Sequence, residues 1–135
     1  MVKTKTTYEG GLHCSMVHEP SGAKLSTDAP VDNNGKGESF SPTDLVGAAL
    51  AGCMSTIMGI VAERKGIKLE GMTVEVGKHM NADPRRIGNL EVVITVPLPA
   101  DHPDRKLLEQ AALSCPVKHS LHPDIEVPIT WNWVG

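Results

Sequence analysis

The spacing of apolar residues changes period twice along this chain. Over residues 1–28 apolar and polar positions alternate, with Leu12, Cys14 and Met16 on one face between turn clusters at 9–11 and 19–22. That period of two predicts short strands joined by tight turns. From residue 41 the alternation disappears, and no charged residue falls between Asp44 and Glu63. This stretch predicts one long helix over 41–66, buried nearly all round. Its start is marked by Ser41 and Asp44 in the spacing of a capping box, and by Pro42 at the first helical position, where a missing N–H costs nothing. Arg64 and Lys65 suit the negative end of the helix dipole, and Gly66 suits the left-handed residue that ends the helix.

After Gly66 the period returns to two. Met72, Val74 and Val76 share one face, and Leu90, Val92, Ile94, Val96 and Leu98 share another beyond the turn at 81–88. This predicts a β-hairpin ended by Pro97 and Pro99. Residues 102–113 predict a second helix, with Pro103 near its start and Leu107, Leu108, Ala111 and Ala112 as its buried stripe. A third, short helix is expected to open at Cys115 and Pro116 and to end before His122, and residues 125–133 alternate as a final strand. The order is three strands, a long helix, two strands, two helices and a strand. Segregated runs of this kind indicate an α+β fold in one domain spanning residues 1–135. Residues 29–38 form a polar Gly/Asn loop placed where a pocket rim or lid is built.

Composition narrows the function classes. The chain has 135 residues and a net charge of −3, with basic residues scattered singly or in pairs and only Tyr8, Phe40, Trp131 and Trp133 aromatic. Neither a basic stripe nor a stacking platform for nucleic acid is present. Three cysteines without a Cys-x-x-Cys pair fit a reducing compartment rather than a disulfide framework. The N-terminus lacks the apolar run of a signal peptide, so the expected location is cytoplasmic. Residues 45–62 match the shortest membrane spans in length, but three glycines, Ser55 and Thr56 interrupt them and amphipathic strands flank them. A buried helix without a membrane is the expectation.

The candidate chemistry lies in the cysteines. Pro116 suits the first position of the short helix, which puts Cys115 at the cap. There the free N–H groups, the dipole, Lys118 and His119 all favour a thiolate; the alternative is an apolar cap residue. Cys53 lies mid-helix with Ala49, Leu50, Thr56 and Ile57 as same-face neighbours. Read alone it is a small core residue, reactive only if a cation or another cysteine packs against it. Cys14 reads as a buried apolar thiol. Cys115, His119 and His122 resemble metal-ligand spacing, but no fourth ligand is evident and no metal is expected. Met54 and Met58 read as core filler, and the charged segment at 83–86 as a solvated hairpin tip.

Ser41-Pro42-Thr43-Asp44-Leu45, the Gly/Ala-rich run to Cys53-Met54, and Ser114-Cys115-Pro116-Val117 with its short helix together resemble the OsmC/Ohr superfamily of osmotically inducible and organic-hydroperoxide-resistance proteins. The resemblance covers nearly the whole chain. It implies strands wrapped around a long central helix, in an intertwined homodimer. It also implies reduction of small organic hydroperoxides without metal or organic cofactor, with the attacking thiol on Cys53 and the resolving thiol on Cys115, reset by an external dithiol reductant. Two positions depart from the family pattern. Thr43, beside Asp44, stands where the family has a tuning glutamate, and no arginine precedes Arg64 although the family's comes from the N-terminal strands; His18 and Lys24 are the cations available there. This places the chain near the divergent OsmC-like branch. Two alternatives stand beside the peroxidase: a non-enzymatic redox-sensing or small-ligand-binding protein with reversible Cys53–Cys115 chemistry, and a protein in which both cysteines are structural.

Overall fold

A computed structural model describes residues 1–135. The chain forms two compact units, residues 1–46 and 47–135. In the first, β1 (Thr4–Tyr8), β2 (His13–His18) and β3 (Lys24–Asp28) make an antiparallel sheet in sequence order. The β1–β2 turn uses positive φ at Gly10, Gly11 and Leu12, which takes Leu12 out of the strand face it was expected to share with Cys14 and Met16. The loop beyond β3 contains one 3₁₀ turn, Val31–Asn33. It folds so tightly that a Cβ on Gly35 would sit 1.7 Å from the Ala29 carbonyl oxygen, so only glycine fits. The unit ends in the expected capping box. The Ser41 N–H donates to Asp44 Oδ2 at 2.9 Å, and the Asp44 N–H donates to Ser41 Oγ at 3.1 Å.

Helix α1 (Pro42–Lys65) begins at this box and runs through the second unit, ending at Gly66 with φ of 68°. There follow β4 (Thr73–Asn81), β5 (Arg86–Val96), α2 (Arg105–Leu113), α3 (Pro116–Ser120) and β6 (Ile129–Trp133). The sheet order is β4-β5-β6, with β4 antiparallel and β6 parallel to β5. Strand β6 is shorter than the predicted 125–133. Glu126 already bridges to Asn89, but Pro128 has no N–H to extend the ladder, so regular pairing starts at Ile129.

The core of this unit is Leu50, Met54 and Met58 of α1 together with Leu90, Val92, Ile94 and Val96 of β5, all with 0 % exposure. Each such side chain contributes about 1.5–3 kcal/mol by leaving water. Gly47 lets α1 come close to the sheet, since a Cβ there would meet Val76 Cγ1 at 3.3 Å. The buried stripe is Gly47, Leu50, Met54, Met58 and Ala62. Ala48, Ala49, Gly52, Thr56 and Ile60 on the other side are exposed, which corrects the expectation of burial all round. An uncharged sequence does not reveal how many sides have a neighbour. By length and composition α1 could cross a membrane, with mean hydropathy 2.0 over its central window, of which 28 % is buried. Leu107, expected in the stripe of α2, is also exposed, leaving Leu108, Ala111 and Ala112 to bury that helix.

Candidate functional site

Two of the three cysteines meet in the second unit. Cys53, half-buried on α1, is hydrogen-bonded to Cys115. Cys115 has 0 % exposure and caps α3, where its Sγ accepts the Lys118 N–H at 3.4 Å and Pro116 takes the first helical position. Cys14 lies in the other unit, half-buried and opposite Tyr8 and Thr27 in the sheet rather than sealed in a core.

Of the two readings of Cys115, thiolate or apolar cap residue, its surroundings favour the second. Its pKa is raised above the ordinary thiol value, first because burial strips the charged form of water, then because of the hydrogen bond with Cys53 and the charge that Cys53 carries when ionised. The Lys118 and Val117 N–H groups pull it down, but less. The physical reason is one of scale. A helix of five residues has little dipole, and one long N–H···S contact replaces only part of a lost hydration shell. Cys115 is therefore held more firmly in its protonated form than an ordinary thiol. The contribution of Lys118 comes through its backbone; His119 is exposed.

The carboxylate and hydroxyls at the start of α1 serve its cap. Asp44 Oδ2 and Ser41 close the capping box, and Thr43 Oγ1 lies 3.3 Å from Ser41 Oγ. His18 Nδ1 is hydrogen-bonded to Ser21 Oγ at 2.6 Å, and Lys24 is exposed. His119 and His122 are both exposed and do not converge with buried Cys115 on a metal position; His122 Nδ1 accepts the Asp124 N–H.

Sequence reasoning missed a cleft of about 470 Å³ between α1 and α2. Its walls are Ile57, Ile60, Val61 and Leu107, with Arg64 and Gln110 as polar members. Ser114, next to Cys115 in the chain, also lines it. The signal was available in helical spacing, because positions 53, 57, 60, 61 and 64 fall on one side of a helix with about 3.6 residues per turn. Cys53 stands one turn from Ile57 on that side of the helix but is not among the residues that line the cleft.

Comparison with known proteins agrees with this arrangement of elements. The profile of the family described as OsmC-like protein matches residues 35–130. A crystal structure of an osmotic stress induced and detoxification response protein from Psychrobacter arcticus superposes with a TM-score of 0.92 at 46 % identity, covering 98 % of this chain and 96 % of that one. An organic hydroperoxide resistance protein OsmC from Legionella pneumophila has the same fold, with a TM-score of 0.75 at 18 % identity over 98 % and 96 % of the two chains. So does an OsmC-like protein from Mycoplasma pneumoniae, at a TM-score of 0.83, 12 % identity, and 100 % and 98 % coverage. No curated protein matches the sequence significantly. With a family profile over most of its length and a 46 %-identical relative aligned nearly end to end, the chain belongs to the OsmC-like protein family.

Proposed function

We propose that the protein is a thiol peroxidase that reduces organic hydroperoxides, with Cys53 as the attacking thiol and Cys115 as the resolving thiol. The observation that carries this reading is the hydrogen-bonded pair, in which Cys115 is sealed from solvent with a raised pKa and Cys53 is only half-buried. The Cys53 thiolate attacks the distal peroxide oxygen and the O–O bond breaks. The departing alkoxide takes a proton, which the protonated Cys115 beside Cys53 can supply, and leaves as alcohol. Cys53 is now a sulfenic acid. The Cys115 thiolate attacks its sulfur and expels hydroxide, which becomes water, leaving a disulfide. An external dithiol exchanges with that disulfide and restores both thiols. The raised pKa of Cys115 suits this order of events: it donates first and attacks second.

The apolar walls of the cleft favour alkyl hydroperoxides over hydrogen peroxide. The Legionella relative is named for organic hydroperoxide resistance, which supports the same substrate class. A homodimer accounts for the apolar side of α1 that the chain itself leaves open. Three free cysteines suit a reducing, cytoplasmic location.

A second reading, a redox sensor with reversible Cys53–Cys115 chemistry, is favoured by one observation. The carboxylate nearest the family's tuning position, Asp44, closes the helix cap, and the first unit contains no arginine. Turnover of cumene hydroperoxide with a dithiol reductant separates the two. Activity well above a Cys53→Ser control supports the enzyme. Reversible disulfide formation without turnover leaves the sensor.

A further inference from the structure

We infer that the Cys53–Cys115 pair is a capture site for trivalent arsenicals that carry one organic group, R–As(OH)2, and that it holds them through both sulfurs. The inference uses the contact between the two thiols and does not depend on turnover of a hydroperoxide. Cys53 and Cys115 are hydrogen-bonded, and they are the only cysteines between residues 47 and 135. No other ligand joins them. His119 and His122 are exposed, and no three histidine, cysteine or carboxylate side chains converge. The Ser114 hydroxyl is turned to the Ala111 carbonyl at 2.7 Å. The pair therefore lacks the four ligands that a structural zinc ion takes.

Two sulfurs and no further donor select the ligand by charge and by valence. A soft monovalent cation held by two thiolates leaves a net negative charge, where burial already disfavours a charged Cys115 sulfur. A divalent ion bound in line needs room between its sulfurs, and a pair in hydrogen-bond contact has none. Trivalent arsenic meets both limits. It is pyramidal, so it sits beside the two sulfurs, and its adduct with two thiols is neutral. A carbon substituent fills its third position and is not displaced, so two thiols saturate it, whereas inorganic arsenite can still take a third. Capture is two condensations. Cys53, the more accessible sulfur, displaces one hydroxyl, and Cys115 displaces the other. Two As–S bonds form, two As–O bonds break, and each thiol proton leaves with a hydroxyl as water. Arsenic stays trivalent and no thiol is oxidised. The second condensation is intramolecular, so capture at two points should exceed binding at one by about 10²–10⁴-fold.

Phenylarsine oxide, which hydrates to this form, is the probe, and the intact mass of the reduced native chain is the readout. The wild type should take up one phenylarsenic and lose two hydrogens. It should keep the adduct in about a hundredfold excess of glutathione, the lower end of the expected gain, and release it to dimercaptopropanol. Cys14→Ser should behave as the wild type. Cys53→Ser and Cys115→Ser, each with one thiol of the pair left, should give the arsenical up to glutathione. Serine can still accept the Lys118 N–H, so Cys115→Ser removes the second sulfur while keeping the cap of α3. Maleimide labelling of the wild-type adduct tests the pair without substitution: Cys53 and Cys115 should be protected and Cys14 labelled. An adduct that glutathione strips from the wild type, that persists in either serine variant of the pair, or that protects Cys14 overturns the assignment. Turnover of cumene hydroperoxide without glutathione-resistant capture overturns this inference alone. Capture without turnover leaves the arsenical site standing while the peroxidase reading falls.

Discussion

Substitution of Cys115 separates two jobs of one sulfur, holding the cap of α3 and resolving an oxidised Cys53. Cys115→Ser keeps an acceptor at a position where serine is among the preferred residues. Cys115→Ala removes it. The loss of the cap costs about 1 kcal/mol, the typical value for a side-chain cap. The buried sulfur leaves a void comparable to a lost methylene, about another 1 kcal/mol, because the site has 0 % exposure and little room to relax. Together these give about 2 kcal/mol, or a fall in Tm of roughly 6–10 °C for a chain of this length. Cys115→Ser should lose no more than about a third of that, since its hydroxyl can still accept the Lys118 N–H. Thermal melts under reducing conditions measure the first job. Intact mass after one equivalent of hydroperoxide measures the second: the wild type should lose two hydrogens as a Cys53–Cys115 disulfide forms, whereas Cys115→Ser should gain one oxygen on Cys53. A serine variant that melts as low as the alanine variant refutes the cap argument. A wild type that forms no Cys53–Cys115 crosslink, or crosslinks through Cys14, refutes the pairing.

Two further outcomes test other parts of the molecule. His13 Nδ1 lies 2.5 Å from Oδ1 of buried Asp28, and Glu9 Oε1 is 3.5 Å from its other ring nitrogen. The Asp28 hydrogen bond, with the charges of Asp28, Glu9 and Glu38, raises the His13 pKa above 6.5 despite an opposing desolvation. The stabilisation is therefore complete below pH 6.5 and is lost as pH rises through the raised folded-state value. Amide exchange in β2 and β3 should quicken beyond its intrinsic pH dependence across that interval in the wild type; in His13→Gln the protection should be insensitive to pH, and equal behaviour of the two proteins would contradict the pairing. On α1, Gly52 is exposed and a Cβ there would meet nothing within 4 Å, so Gly52→Arg fits the isolated chain and gains about 1 kcal/mol of helix propensity. If a second copy covers this side, sedimentation should show Gly52→Arg as a stable monomer where the wild type is a dimer; an unchanged mass would show that the apolar side is not the dimer contact.

What could be read along the chain was local. The capping box, Pro42, the Gly66 stop, the alternation of β4 and β5 and the opening of α3 at Pro116 each depend on residues within four or five positions, so the sequence alone determined them. The spacing of Cys53 and Ser114-Cys115-Pro116 was legible too, as a resemblance. The side of α1 that is buried was not legible, because a helix apolar all round carries no sign of where its neighbours stand. Nor was the state of Cys115: its cap and its nearby cations argued for a thiolate, whereas complete burial and the neighbouring Cys53 raise its pKa. The cleft with Arg64 arises where α2, some fifty residues further along the chain than α1, lies alongside it. Desolvation and neighbour identity depend on residues far apart in sequence, so only the tertiary structure decided that the Cys115 thiol is pushed up and what lies beside it.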